Sequence, residues 1–362
     1  MRILLAAGGT GGHLIPAIRI SEAIARKHRD TEFVFVGSDK GFEEQVISQR
    51  HQRYVGLPAR GFSRRKIWRN IPALYHNWRA RSKAAELVGD FKPDVAVGCG
   101  GYASYFPIGA CAARNIPYIL QEQNRQPGLA TRWLSERADT VFIAFEESRS
   151  LLPKARSVVL SGNPIDPRLA TLTQSEARRA WNLSDDDTVV LVTGGSTGAR
   201  SMNSNVARAL TTPTDKPIHL LWQTGAQGSG WNGKAASGWH VHCFAFTDKM
   251  TEAFVAADLI VARSGALTIS EICACGRPAI LVPYPLATGD HQSQNAQVMV
   301  DAGGAILIED RALESELLLA QSRTLLNDPL RREQMSQANK KLGKPDAADR
   351  IAARVMELAR QV

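Results

Sequence analysis

The apolar run Ile3 to Ala7 opens directly into Gly8-Gly9-Thr10-Gly11-Gly12-His13, and Val189 to Val192 opens into Gly194-Gly195-Ser196-Thr197-Gly198-Ala199. A helical pattern follows each cluster, Ile15 to Ala25 and Ser201 to Leu210, so glycines and a hydroxyl stand at a helix N-terminus. Such a turn suits an anion. Glycine allows close backbone approach and positive φ, while unpaired N–H groups and the helix dipole favour a phosphate. Two loops of this kind suggest two half-sites facing each other. Neither common phosphate motif fits the first loop: a dinucleotide fingerprint needs glycine at Leu14, and a P-loop needs Gly-Lys-Ser/Thr. The plainer alternative is an ordinary tight turn, which seldom needs four glycines in five positions.

The loops need strands before them and helices behind, and the chain supplies both in alternation. Strand-like runs occur at Arg2–Ala6, Glu32–Val36, Val95–Val97, Tyr118–Gln121 and Thr140–Ile143, then at Val189–Val192, His219–Trp222, His240–Phe244, Leu259–Ala262, Ala279–Val282 and Ala305–Ile308. Alternation with helical patterns predicts α/β architecture, with a doubly wound parallel sheet in each half that binds ligands at the carboxyl ends of its strands. A chain of 362 residues is long enough for two domains. Gly162, Asn163 and Pro164 break the pattern after Val158–Leu160, which sets the expected domains at 1–161 and 162–345. The amphipathic segment Ala347 to Arg360 could cap either domain; the expected arrangement packs residues 346–362 back on the first.

Five cysteines without CxxC spacing point to reduced thiols rather than disulfides or zinc. No signal peptide or membrane-spanning apolar run is apparent, which predicts a cytosolic location. The net charge of +9 is uneven: residues 1–160 carry an excess of ten positive charges, and the remainder is slightly acidic. Between Arg60 and Lys83 there are eight basic residues and no acid, interleaved with Phe62, Ile67, Trp68, Ile71, Leu74, Tyr75 and Trp78. That mixture suits an anionic, partly apolar surface. The competing reading is a solvated helix whose aromatics, at helical spacing, pack into the core.

Gly8 to His13, Gly100-Gly101-Tyr102, Glu122-Gln123-Asn124, Gly162-Asn163-Pro164, Gly194-Gly195-Ser196, Arg263 to Glu271, His291-Gln292 and Asn295 stand in an order and spacing that resembles the MurG family. Those bacterial transferases add GlcNAc to lipid I to make lipid II. The resemblance runs from Met1 to about Arg360. It implies a GT-B fold and inverting transfer, in which the C4 hydroxyl of the lipid I MurNAc attacks the anomeric carbon of UDP-GlcNAc and UDP leaves.

Without a metal, helix N-termini and hydroxyls would stabilise the departing diphosphate. The resemblance places Gly195 and Ser196 at that diphosphate, and Thr10, Gly11 and Gly12 near the transferred sugar and acceptor. Inversion needs a base. His13 is a candidate, histidine titrating near neutrality, and Glu122 is its rival; His13 could instead only donate to phosphate or sugar. Glu271, with the preceding Ala266, Leu267, Thr268, Ile269 and Ser270, matches the ribose-binding motif, since a carboxylate accepts two hydrogen bonds from a diol. Asn124 and Gln292 match positions that contact GlcNAc hydroxyls, and Thr247 falls where backbone reads the uracil.

Several positions depart from the family pattern: Gln121 for His, Thr197 for Gln, and Asp166 for Arg, while Tyr105 and Phe106 stand where small residues are common. An acid at 166 would repel the diphosphate, and Arg168 is the expected replacement cation. The resemblance also gives the basic segment a use at the cytoplasmic face of the bacterial inner membrane, as a peripheral contact through Arg64, Arg65, Lys66, Ile67, Trp68, Ile71, Tyr75 and Trp78. Expected partners are UDP-GlcNAc, lipid I, an anionic membrane and other cell-wall synthesis proteins, with no nucleic acid, cofactor or metal. Asp185-Asp186-Asp187 reads as a solvated turn rather than a metal site. The alternatives are a GT-B enzyme with another sugar nucleotide or lipid acceptor, and a basic membrane- or nucleic-acid-binding protein without activity.

Overall fold

The structure, a computed structural model, describes residues 1–8, 11–39, 42–61, 70–195, 198–226 and 228–361. The chain forms two compact units, Met1–Ile165 with Asp346–Val362, and Asp166–Pro345.

The first unit is built on seven parallel strands: β1 (Arg2–Ala6), β2 (Glu32–Ser38), β3 (Arg53–Leu57), β4 (Val95–Gly98), β5 (Tyr118–Glu122), β6 (Val141–Ile143) and β7 (Val158–Leu160), in spatial order β3-β2-β1-β4-β5-β6-β7. Because side chains alternate along a strand, β1 serves two cores. Ile3 and Leu5 pack with Leu14, Ile18 and Ile24 of α1 (Gly11–Lys27) and with Ile351, Val355 and Leu358 of α14 (Ala347–Ala359). Leu4 and Ala6 face the other way, toward Ala80, Ala84 and Val88 of α3 (Asn70–Phe91). Both faces are therefore covered, which explains the near-continuous apolar reading of the strands.

Polar contacts add direction to that docking. Arg354 of α14 holds Asp139 through two hydrogen bonds of 2.9 and 2.8 Å, and Arg26 of α1 meets Asp349 at 2.9 Å. Burial alone would raise the Asp139 carboxyl, but the bonds from Arg354 and Thr140 outweigh it and hold its pKa below the ordinary value.

The second unit has six parallel strands: β8 (Thr188–Thr193), β9 (Ile218–Gln223), β10 (Trp239–Phe244), β11 (Leu259–Ala262), β12 (Ala279–Leu281) and β13 (Ala305–Leu307), ordered β10-β9-β8-β11-β12-β13. Trp222 of β9 is fully buried and its indole N–H donates to Asn203 Oδ1 on α8 (Arg200–Ala209) at 3.2 Å. In each sheet the winding reverses once, between β1 and β4 and between β8 and β11. The carboxyl ends flanking such a switch point leave a crevice for ligands. Both glycine loops follow a strand of that pair.

Two strands exceed the eleven runs read from sequence. In β3, Gly56 interrupts the apolar run of Arg53-Tyr54-Val55-Gly56-Leu57, and only pairing with β2 reveals it. Val158–Leu160 looked like the approach to a linker, yet it pairs with β6 as β7.

Candidate active site

In the first unit, the turn after β4 packs on the loop after β1. Gly101 has φ +80°, and a Cβ there would lie 1.8 Å from the Gly8 carbonyl oxygen. Gly100 has φ +83°, and a Cβ there would meet His13 Cδ2 at 2.9 Å. The close fit demands glycine at both positions. It also sets the imidazole of His13, half-buried in the first turn of α1, against the Gly100 turn. Gly11 and Gly12 begin the same helix; Thr10 lies outside the described residues.

Behind this turn is a buried chain of amides. Gln123 Nε2 donates to the Cys99 carbonyl at 2.7 Å, Gln121 Nε2 donates to Asn163 Oδ1 at 2.9 Å, and Asn163 Nδ2 returns to the Gln123 carbonyl at 3.2 Å. Gln121, one of the departures noted above, is fully buried here and works inside the scaffold.

Glu122 and His13 prove to be differently placed. Glu122 is 3% exposed, and its carboxylate accepts from Asn124 N at 3.1 Å, Gly128 N at 3.0 Å and Thr131 Oγ1 at 2.6 Å. It thereby ties the loop carrying Asn124 to the start of α5 (Leu129–Leu134). Burial raises its pKa above the ordinary carboxylate value, and the hydrogen bonds only partly oppose that. Asn124 itself is half-buried beside it.

In the second unit, the loop after β8 is braced from below. Thr193 Oγ1 donates to Gln223 Oε1 at 2.6 Å and accepts from the Gly195 N–H at 3.1 Å. The Gly195 amide, expected to be unpaired, therefore already has an acceptor. Gly195 has φ +77°, and Gly225 presses so close that a Cβ on it would lie 2.3 Å from Gly198 N. Ser196 lies outside the described residues.

Across the switch point, β11 ends in Arg263-Ser264-Gly265 and α10 (Ala266–Cys275) follows, with Gly265 at its N-cap. Ala266 and Ile269 are buried, whereas Leu267, Thr268, Ser270 and Glu271 are half-buried. Ser264 Oγ is buried and has no hydrogen-bond partner among the described residues. Arg263, quoted from sequence as the start of this motif, was given no role there. Only 7% exposed, it contacts Asp310 at 2.6 Å, Ser201 Oγ at 2.8 Å and the carbonyls of Val282 and Pro283 at 3.1 and 3.0 Å. One guanidinium thus links α8, the loop after β12 and the end of β13, using its fixed fork of donors. A charged residue directly after an apolar strand was the available signal.

Gln292, in α11 (His291–Asp301), accepts from Tyr284 N at 2.9 Å, and Thr247 Oγ1 accepts from Lys249 N at 3.1 Å. Arg168, the expected replacement cation, is held by two acids. Its Nε and Nη2 bond Asp166 at 3.1 and 2.9 Å, and Nη1 bonds Glu252 at 2.8 Å. Thr251 Oγ1 also donates to Asp166, at 3.0 Å. Arg168 is therefore the counter-ion of two carboxylates.

Of the basic segment, residues 64–68 and the Ile71 side chain lie outside the described residues. Tyr75 and Trp78 do not join the core: they are 58% and 66% exposed on α3, stacked with centroids 6.5 Å apart, and Leu74 beside them is also exposed. No described helix is long and apolar enough to cross a membrane. Among the described residues no cluster has metal-ligand character. Asp187 caps the turn before β8 through Ser184 N at 2.8 Å, at the opposite end of that strand from the glycine loop.

Two doubly wound parallel units, each with a glycine-rich turn at its switch point, have the GT-B fold, and the matched family models make the class a glycosyltransferase. Residues 3–143 match the glycosyltransferase family 28 N-terminal domain, and residues 189–351 match the family 28 C-terminal domain. A Desulforudis audaxviator protein described as UDP-N-acetylglucosamine--N-acetylmuramyl-(pentapeptide) pyrophosphoryl-undecaprenol N-acetylglucosamine transferase is 36% identical over 368 residues, covering 99% of both chains. The Myxococcus xanthus protein of the same description is 36% identical over 358 residues, covering 97% of this chain and 91% of its own. The chain belongs to this family, the MurG glycosyltransferases.

Among solved structures, Acinetobacter baumannii MurG superposes with a TM-score of 0.78 at 24% identity, covering 98% of this chain and 99% of its own. A UDP-GlcNAc 2-epimerase from Neisseria meningitidis, solved with UDP-GlcNAc, reaches 0.67 at 15% identity over 99% of this chain and 100% of its own. The fold is thus shared with enzymes of another reaction type, and residues must decide the chemistry.

Proposed function

We propose that the chain transfers GlcNAc from UDP-GlcNAc to the C4 hydroxyl of MurNAc in lipid I, with inversion, to form lipid II. Kinship along the whole chain carries this reading. The C4 oxygen forms the new bond to the anomeric carbon, the bond from that carbon to the UDP oxygen breaks, and the hydroxyl proton passes to His13. His13 is favoured over Glu122 because it is the more accessible of the two. Thr10, Gly11 and Gly12 hold the acceptor side, with Asn124 on the sugar. Gly195 and Ser196 meet the diphosphate at the head of α8, where the helix dipole opposes the developing charge. Glu271 takes the ribose diol, Gln292 the GlcNAc hydroxyls, and backbone near Thr247 the uracil.

The test is UDP release from UDP-GlcNAc, UDP-GalNAc and UDP-glucose, each with and without a lipid I analogue. Release that requires the analogue and is at least about tenfold faster with UDP-GlcNAc is expected, since a selective site gains about 1–3 kcal/mol from its polar contacts. A preference for another donor would assign the chain a different sugar, and release indifferent to the lipid would remove the acceptor.

The enzyme meets its lipid-linked acceptor at an anionic membrane surface through α3 and the basic stretch before it. Exposed Leu74, Tyr75 and Trp78 beside that charge support this reading. Cosedimentation with vesicles holding anionic lipid should exceed that with neutral vesicles, and Trp78→Ala with Tyr75→Ala should reduce it several-fold. Equal partition between the two vesicle types defeats the membrane role.

A further inference from the structure

Away from the strand ends, the second unit contains a cavity of about 340 Å³ among α6 (Arg168–Thr171), α9 (Met250–Ala256), the end of α10 and α13 (Pro329–Leu342). That size falls in the range of small-molecule sites. Leu169, Leu172, Val255 and Pro345 contribute apolar walls, and among the described residues its charged lining is Arg277 and Lys340.

Arg277 is an unusual cation. Its guanidinium has one protein acceptor, the Val255 carbonyl at 2.7 Å from Nη2, and no carboxylate within ion-pair distance among the described residues. Nε is shielded from solvent and has no partner among the described residues. The nearby acid is already engaged, since Asp258 receives two bonds from Arg178 at 3.0 and 2.8 Å. Desolvation depresses the pKa of the half-buried Arg277, as expected where no ion-pair partner offsets it. Lys340 makes no hydrogen bond or ion pair among the described residues, and its methylene stem lies against Gly276. Arg277 is half-buried and Lys340 is exposed on the same cavity, so an anion seated between them would meet two cations that no acid among the described residues engages.

We propose that this cavity binds a phosphomonoester with a compact apolar body, its dianionic phosphate between Arg277 and Lys340 and its apolar part against Leu169, Leu172 and Val255. Two positive charges match a dianion, and the volume and walls exceed what a bare oxyanion fills.

The full-length protein, saturated with UDP to occupy any nucleotide site, would be titrated calorimetrically with phenyl phosphate, inorganic phosphate and phenol. Phenyl phosphate should bind at one site with Kd below about 1 mM, and phosphate and phenol at least about tenfold more weakly. Arg277→Met and Lys340→Met should each weaken phenyl phosphate by about tenfold or more, the loss of a charge-assisted hydrogen bond. Lys340→Met retains the stem against Gly276 and decides the matter if Arg277→Met does not fold. The proposal is overturned by unchanged affinity in Lys340→Met, by inorganic phosphate binding as tightly as phenyl phosphate, or by absence of binding once UDP is present.

Discussion

His13→Ala lowers kcat by about 10²–10⁴-fold while UDP-GlcNAc binding persists, the span general bases typically contribute. The expectation rests on placement. The imidazole stands on the first turn of α1, half-accessible, against the Gly100 turn, whose positive φ and lack of a Cβ leave room for the ring. Gln123 Oε1 lies on the same side, 3.3 Å from where a Gly100 Cβ would be, so the ring is set against a rigid amide scaffold. Single-turnover rates with lipid I analogue, alongside a donor Kd, separate the chemical step from binding. A decrease of less than about tenfold with donor affinity intact would take proton abstraction away from His13.

Glu122→Ala is expected to destabilise the first unit by about 3–5 kcal/mol, because it strands three donors in a buried loop. Asn124 N, Gly128 N and Thr131 Oγ1 all lose their acceptor together, and with them the link between the Asn124 loop and α5. A unit of this size then melts roughly 10 °C lower, at about 2–4 °C per kcal/mol. The pH dependence has a definite sign. With its folded pKa raised, Glu122 contributes stability that is complete below the unfolded carboxylate value and fades as pH rises through the folded one. The deficit of Glu122→Ala should therefore narrow above about pH 4.3, the ordinary glutamate value. Melting curves across pH measure it; a variant as stable as the parent would mean that the carboxylate does not hold the loop.

Local rules made much of this molecule readable. A strand-like run, glycines, then a helical period specify a βα turn with an anion-suited mouth wherever they occur, because φ freedom and helix polarity belong to the residues themselves. Eleven of the thirteen strands among the described residues announced themselves through apolar runs between breakers. The ordered motifs from Gly8 to Asn295 pointed to the family, and whole-chain kinship agrees with them.

What remained hidden depends on residues far apart in sequence. Arg53–Leu57 becomes a strand only by pairing with β2. That Gly128 and Thr131 fold back on Glu122, and that Glu252 of α9 reaches Arg168, shows only in space. Arg263 acquires its role from Ser201 and Asp310, which approach from either side in sequence. Sequence alone determined most of the strands and the glycine turns that follow them, since backbone preference and hydrophobic period act over a few residues. Only the tertiary structure decided which charges and amides are already engaged with one another, because hydrogen bonding and desolvation depend on distance in space.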